Sequence, residues 1–161
     1  MFRHLWMPDP RVTVAGYARS GFRRDTGRGA EKRADGIVRS LIDVVAGARP
    51  NFMKIAPILR ALDARRAEGG RLAYRLVHTG QHYDARMSGD FFAQLGIPEP
   101  DVNFEVGSGT QAEQTGAIMV RYEALLAQAR SDLCLVVGDV TSTMACAIAA
   151  QKMRVPVAHV E

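Results

Sequence analysis

Gly47, Arg49 and Lys54 are the first residues of this 161-residue chain whose types and spacing could do chemistry. The apolar run Val44-Val45-Ala46 ends at Gly47, and Pro50, a residue suited to a first helical turn, follows three residues on. A helix starting there aims its free N–H groups and positive dipole end past the strand, and Arg49 and Lys54 add full charges beside them. That set suits a phosphate. It is equally the set of an ordinary strand-to-helix turn with solvated cations. Asp139, in Val136-Val137-Gly138-Asp139, stands just past a second apolar run. Such a carboxylate suits a partly desolvated acid–base group with a displaced pKa, or it caps a helix starting at Thr141-Ser142. Gln81 and His82 fall in a loop after Val77-His78-Thr79-Gly80, where His82 reads as a general base or as a hydrogen-bonding loop residue. Ser108, Gly109 and Gln111 precede a long helical pattern and offer either a second phosphate-friendly helix start or a cap. His159, after a further apolar run, reads as structural.

The elements that must hold these residues follow from periodicity. Leu41 to Ala46 is a short apolar run ended by glycine and predicts a buried strand. A helix from Pro50 carries Ile55, Ile58, Leu59 and Leu62 at helical spacing until Glu68-Gly69-Gly70 stops it. Leu72 to Thr79 predicts a second strand. Ala85 to Leu95 predicts a second helix ended by Gly96, and the prolines of Pro98-Glu99-Pro100-Asp101 require a loop. Gln111 to Ala129 predicts a long helix with Ile118, Met119, Tyr122, Leu125 and Leu126 inward. Leu133 to Val137 is a third strand, Ser142 to Met153 a small-residue-rich helix, and Val155 to Val160 a fourth strand. Strands alternating with helices imply right-handed crossovers and a doubly wound, parallel α/β sheet. Ligands of such sheets lie beyond the carboxyl ends of the strands. The turns after Ala46, Thr79, Gly138 and His159 all belong to that rim.

Five stretches, collinear from about Ile42 to Glu161, resemble the non-hydrolysing UDP-N-acetylglucosamine 2-epimerases. Gly47-Ala48-Arg49-Pro50-Asn51 with Lys54 and Ala56-Pro57 is similar to the family's opening strand and helix. Ala48 replaces a threonine common there, and Asn51 a glutamate. Val77 to Asp84 resembles the second strand and loop, and Gly107 to Thr115 the start of the long third helix. Val136 to Thr143 resembles a Gly-Asp-x-x-Ser strand end. Val157-Ala158-His159-Val160-Glu161 matches the start of a His-x-Glu-Ala-Gly-Leu-Arg run. The resemblance implies a Rossmann-like N-terminal domain of a two-domain, glycosyltransferase-B-like architecture. It implies interconversion of UDP-GlcNAc and UDP-ManNAc, for surface polysaccharide, by elimination and re-addition of UDP without metal or nicotinamide. Asp139, Glu161 and Lys54 are then catalytic, and Arg49, Gln81, His82 and Ser108 bind substrate. In some bacterial members the loop of Gln81 and His82 helps hold a second, activating UDP-sugar; here Asp84 replaces the accompanying glutamine. A homodimer is implied for the complete protein. The family's further carboxylate, its downstream histidine and its C-terminal nucleotide-binding domain are expected beyond residue 161, so this chain is expected to be inactive alone. The alternatives are a non-catalytic remnant or interaction module, a hydrolysing 2-epimerase, and a nucleotide-sugar glycosyltransferase.

Charge divides the chain. Residues 1–40 hold nine Lys/Arg and four Asp/Glu, whereas residues 41–161 hold twelve and thirteen, so the net positive charge resides in the first segment. That segment has too few apolar residues at any period to pack and is expected to be a disordered tail, or the product of a start placed ahead of Val38. Its aromatic residues are too sparse for a nucleic-acid-binding pattern. No apolar run suits an export signal or a membrane-spanning helix. Cys134 and Cys146 lack the spacing of a metal or redox pair and read as buried free thiols, which together with the missing export signal points to the cytoplasm.

Overall fold

The computed structural model describes residues 40–80 and 92–161. The basic segment lies outside these residues, as do Gln81, His82 and most of the helix expected from Ala85. Among the described residues, five strands form one parallel sheet: β1 (Ser40–Ala46), β2 (Leu72–His78), β3 (Val102–Asn103), β4 (Leu133–Val137) and β5 (Val157–Val160), in the order β3-β2-β1-β4-β5. The crossovers are α1 (Arg49–Ala67), α2 (Gln111–Gln128) and α3 (Thr141–Lys152), with residues 92–95 also helical. This is a doubly wound, Rossmann-like α/β domain.

Strand alternation sorts the core onto the two faces of the sheet. Val44, Ala46, Tyr74, Leu76 and Val137 pack with Phe52, Ile55 and Leu59 of α1 and with Phe92. Val45, Val77, Cys134 and Val136 pack with Ile118, Tyr122 and Leu126 of α2 and with Ala145, Cys146 and Ala149 of α3. Both cysteines are buried free thiols. Burial pushes the Cys134 thiol up to about 12 and Cys146 well above its ordinary value.

Charge also enters that second face. Asp43 and Arg75 are cross-strand partners in the β1–β2 register. The guanidinium grips the carboxylate with Nε to Oδ1 at 2.7 Å and Nη2 to Oδ2 at 2.8 Å, and the Tyr122 hydroxyl donates to Oδ2 at 3.0 Å. All three residues are buried. The carboxylate therefore has partners from both β2 and α2, as a charge in an apolar interior requires.

Two further carboxylates extend the ladders. Asp101 accepts the Leu76 N–H at 2.8 Å ahead of β3, and Asp132 accepts the Leu41 N–H at 2.7 Å ahead of β4. Residues Pro98 to Asp101 are a loop as expected, but the two-residue strand β3 that follows was not anticipated, being too short to show a period. The last strand starts at Val157 rather than Val155. Arg154 adopts φ +56° and the Val155 N–H donates back to the Ala150 carbonyl at 2.8 Å, so Val155 completes the end of α3. Pro57 lies within α1 and withholds one N–H from the helix, but it and Met53, whose carbonyl would have accepted, are both exposed to water. Gly69, at φ +83°, ends the region as expected.

Candidate functional site

The carboxyl ends of the strands form one rim, and the turn after β4 is its most constrained part. Gly138 takes φ +71°, a conformation that favours glycine, and sends the chain into α3. The Asn51 side-chain amide donates to the Val137 carbonyl at 2.7 Å, and the Thr143 hydroxyl reaches the same oxygen at 3.0 Å. His159 Nε2 lies 2.9 Å from the Gly138 carbonyl, so this nitrogen carries the proton, and the Gly138 N–H donates to the Val160 carbonyl at 2.8 Å. The two peptides that flank Gly138 are thus held from α1, α3 and β5. The side chain of Asp139 itself is exposed. It does not cap α3, whose N-cap is Val140 with no side-chain bond. Both sequence expectations for Asp139, partial desolvation and capping, are corrected: the turn projects past the sheet, and no described element covers it.

Asp139 lines an open groove of about 420 Å³. Ala48 contributes from the start of α1, Val140 and Thr141 from the start of α3, and Ser108, Gly109, Gln111 and Gln114 from the start of α2. Three helices therefore begin at one groove, and first-turn N–H groups left without helical partners favour electronegative oxygens. The α2 start is built by Thr110 and Glu113. The Thr110 hydroxyl accepts from the Glu113 N–H at 3.3 Å while the Glu113 carboxylate accepts from the Thr110 N–H at 2.9 Å. These bonds hold the Glu113 carboxyl below its ordinary value. Ser108, Gly109 and Gln111 are consequently not the cap and face the groove. Gln111 also accepts from the Thr141 hydroxyl at 3.3 Å, joining two helix starts.

Of the residues singled out from the sequence, Asp139, Ser108, Gly109 and Gln111 meet in this groove. Glu161 follows β5 directly, and because Val137 pairs with Val160 it stands at the strand end next to the Gly138 turn, exposed. Lys54 is exposed on α1 and is not among the groove residues. Arg49 opens α1, but its side chain lies outside the described residues. No cation stands among the described residues lining the groove. Two residues were missed. Asn51, 4% exposed and noted in the sequence only as a replacement for the family's glutamate, is the tie between α1 and β4. His78, at the end of β2, is buried between Phe52 and Phe92, with ring centroids 5.8 and 5.9 Å away. Its pKa is lowered by burial, which outweighs the opposing bond to Asn103. The only sequence signals were the place of Asn51 in the first turn of the predicted helix and of His78 one step from a predicted strand end.

The sequence profile of the UDP-N-acetylglucosamine 2-epimerases matches residues 64–161, more than half of the chain. The chain belongs to this family. Among relatives, the UDP-N-acetylglucosamine 2-epimerase of Methanocaldococcus jannaschii is 38% identical over 120 residues, covering 74% of this chain and 31% of that protein. The UDP-2,3-diacetamido-2,3-dideoxy-D-glucuronate 2-epimerase of Pseudomonas aeruginosa is 42% identical over 117 residues, covering 73% and 32%. The crystal structure of the Methanocaldococcus jannaschii epimerase with UDP-GlcNAc and UDP superposes with a TM-score of 0.68 at 37% identity, over 75% of this chain and 32% of that one. The chain thus spans about a third of the length of the curated relatives it matches. Among the described residues, no helix is long and apolar enough to cross a membrane.

Proposed function

We propose that this chain contributes one wall of a UDP-sugar 2-epimerase site, with UDP-GlcNAc and UDP-ManNAc as the interconverted pair. The C2 proton of such a sugar is not beside a carbonyl and is scarcely acidic, so direct removal and return is unfavourable. Elimination avoids this: the C2–H and C1–O bonds break, C1 and C2 become doubly bonded, and UDP departs. Re-addition of UDP with a proton delivered to the other face of C2 gives the epimer. The reaction needs carboxylates that accept and return protons and positive groups that stabilise the leaving diphosphate. Asp139 and Glu161 take the first role, Arg49 and Lys54 the second, and Ser108 a substrate contact. Gln81 and His82 belong to the same proposed contact set. The observation that carries the reading is the Gly138-Asp139 turn, fixed by three neighbouring elements while its carboxylate faces the groove where three helices begin.

The exposure of Asp139 and Lys54 fits a site completed by a second domain, in a two-domain and homodimeric protein, and turnover is assigned to that assembly. The test is C2 exchange in D2O, measured in a chimera joining residues 40–161 to the remaining two thirds of the Methanocaldococcus jannaschii relative. Deuterium entering C2, lost on Asp139→Asn with the fold intact, is the expected result. Exchange that survives Asp139→Asn removes this residue from the mechanism. Release of free UDP and ManNAc identifies a hydrolysing enzyme, and no exchange in a folded chimera identifies a non-catalytic module. The Pseudomonas aeruginosa relative supports a second substrate, a diacetamido uronate carried on UDP, which the same chimera tests by competition.

A further inference from the structure

We infer that Asn103 and Gly80 are positioning residues that clamp the segment after β3 to the end of β2 and so set the wall of the groove formed by Ser108, Gly109 and Gln111. The inference rests on the reading of that groove as the substrate site. Parallel pairing continues past the end of β3. The Phe104 N–H donates to the His78 carbonyl at 2.8 Å, Val106 N–H to Thr79 at 3.2 Å, and Gly107 N–H to Gly80 at 2.9 Å. Two features make this close track possible. Gly80 sits at φ +70°, and a Cβ there would lie 2.7 Å from the Glu105 nitrogen and 2.8 Å from its Cα, both backbone atoms that cannot swing away. Glu105 adopts φ +51°, which an L side chain disfavours, and the Asn103 side-chain oxygen accepts its N–H at 3.1 Å. The same oxygen lies 3.4 Å from His78 Nδ1. One side-chain oxygen thus holds the left-handed residue against the end of β2.

The far end of the segment joins the groove. The Gln114 amide donates to the Gly107 carbonyl at 3.0 Å, and Gln114, Ser108, Gly109 and Gln111 all line the cavity. The Arg121 guanidinium donates to the Phe104 carbonyl, which ties the same strip to the middle of α2. The strip is therefore anchored to α2 at both ends and to β2 along its length. Release at Asn103 would let the Ser108–Gly109 wall move relative to Asp139 while the sheet and helices stay paired.

The test is residue-resolved amide exchange by NMR on the 161-residue chain and, in the chimera of residues 40–161 with the completing domain, amide shifts with UDP-GlcNAc as the added probe. Asn103→Leu removes the acceptor at similar size, and Asn103→Asp keeps it. Exchange at Val106 and Gly107 is expected to rise roughly tenfold or more in Asn103→Leu, to return toward the wild-type rate in Asn103→Asp, and to stay unchanged in β1 and β4. Shifts of the Ser108, Gly109 and Gln111 amides on adding UDP-GlcNAc should weaken in the leucine variant and recover in the aspartate one. Unchanged exchange at Val106 and Gly107, or an equal rise across β1 and β4, overturns the clamp. Ligand shifts that persist undiminished in Asn103→Leu overturn its link to the groove. If the chimera with Asn103 intact shows no shift at these amides, the substrate reading of the groove fails, and exchange alone still decides the clamp. Gly80→Ala should loosen the same amides more severely; the asparagine pair decides the question even if that variant does not fold.

Discussion

Asn51 shows how much one amide can organise at a rim. Its side chain is buried and bonded to the end of β4, so it sets the distance between the start of α1 and the Gly138 turn. Asn51→Leu should cost about 1–2 kcal/mol in urea unfolding, the penalty of a lost bond at a buried carbonyl that retains its Thr143 partner. Gly138→Ala should cost a similar amount, about 1–2 kcal/mol, through the φ +71° conformation alone, since the nearest atom to the added methyl would be 3.5 Å away. His78 makes stability depend on pH. Its folded pKa lies below the ordinary 6.5, so between those two values the unfolded chain binds more protons and stability falls as the pH falls. The contribution is complete above about 6.5 and declines below it until the folded pKa is reached. Urea midpoints measured from about pH 8 to about pH 5 should show this slope, and His78→Phe should flatten it.

At the scale of elements, the Asp43–Arg75–Tyr122 group binds β1, β2 and α2 together through one carboxylate. Removing one partner leaves a buried charge uncompensated, so Arg75→Met should destabilise by about 3–5 kcal/mol in denaturant titrations. Replacing all three by apolar residues, with Asp43→Val, Arg75→Met and Tyr122→Phe, should recover most of that loss, because no buried charge is then left unpaired. The two thiols give an independent probe of the α3–β4 packing. Both are buried and held in the protonated form, so a thiol reagent at neutral pH should modify them only as fast as the chain unfolds. Rapid labelling in native buffer would contradict the packing of α3 on the sheet.

At the scale of the whole molecule, the proposed site residues among the described ones lie open to solvent. Asp139, Glu161, Lys54 and Ser108 are all exposed, although the backbone beneath Asp139 is held from three elements. The framework is therefore set before the reacting environment is. An acid–base pair for C2 chemistry requires a drier surrounding than this rim provides, because only there do fixed charges act at full strength. The 161-residue chain by itself should accordingly show no C2 exchange on UDP-GlcNAc, whereas the completed chimera should. Exchange by the lone chain at an ordinary enzymatic rate would refute the need for a second wall.

The sequence by itself determined the alternation of strands and helices, the parallel winding and the rim at which the motifs gather. Those features follow from local periods and from glycines that stop elements, all readable along one dimension. It also carried the family, because the residues of the Arg49, Gly138-Asp139 and His159 stretches lie in one collinear order. The tertiary structure alone decided which polar residues are partners. Asp43 and Arg75 each interrupt an apolar strand, but only the β1–β2 register makes them neighbours. Asn51 finds its acceptor 86 positions away, and β3 exists because the end of β2 offers it a ladder. The exposure of Asp139 is likewise a three-dimensional fact, since a carboxylate's surroundings depend on which elements lie above the strand end, and neighbouring residues in sequence do not encode them.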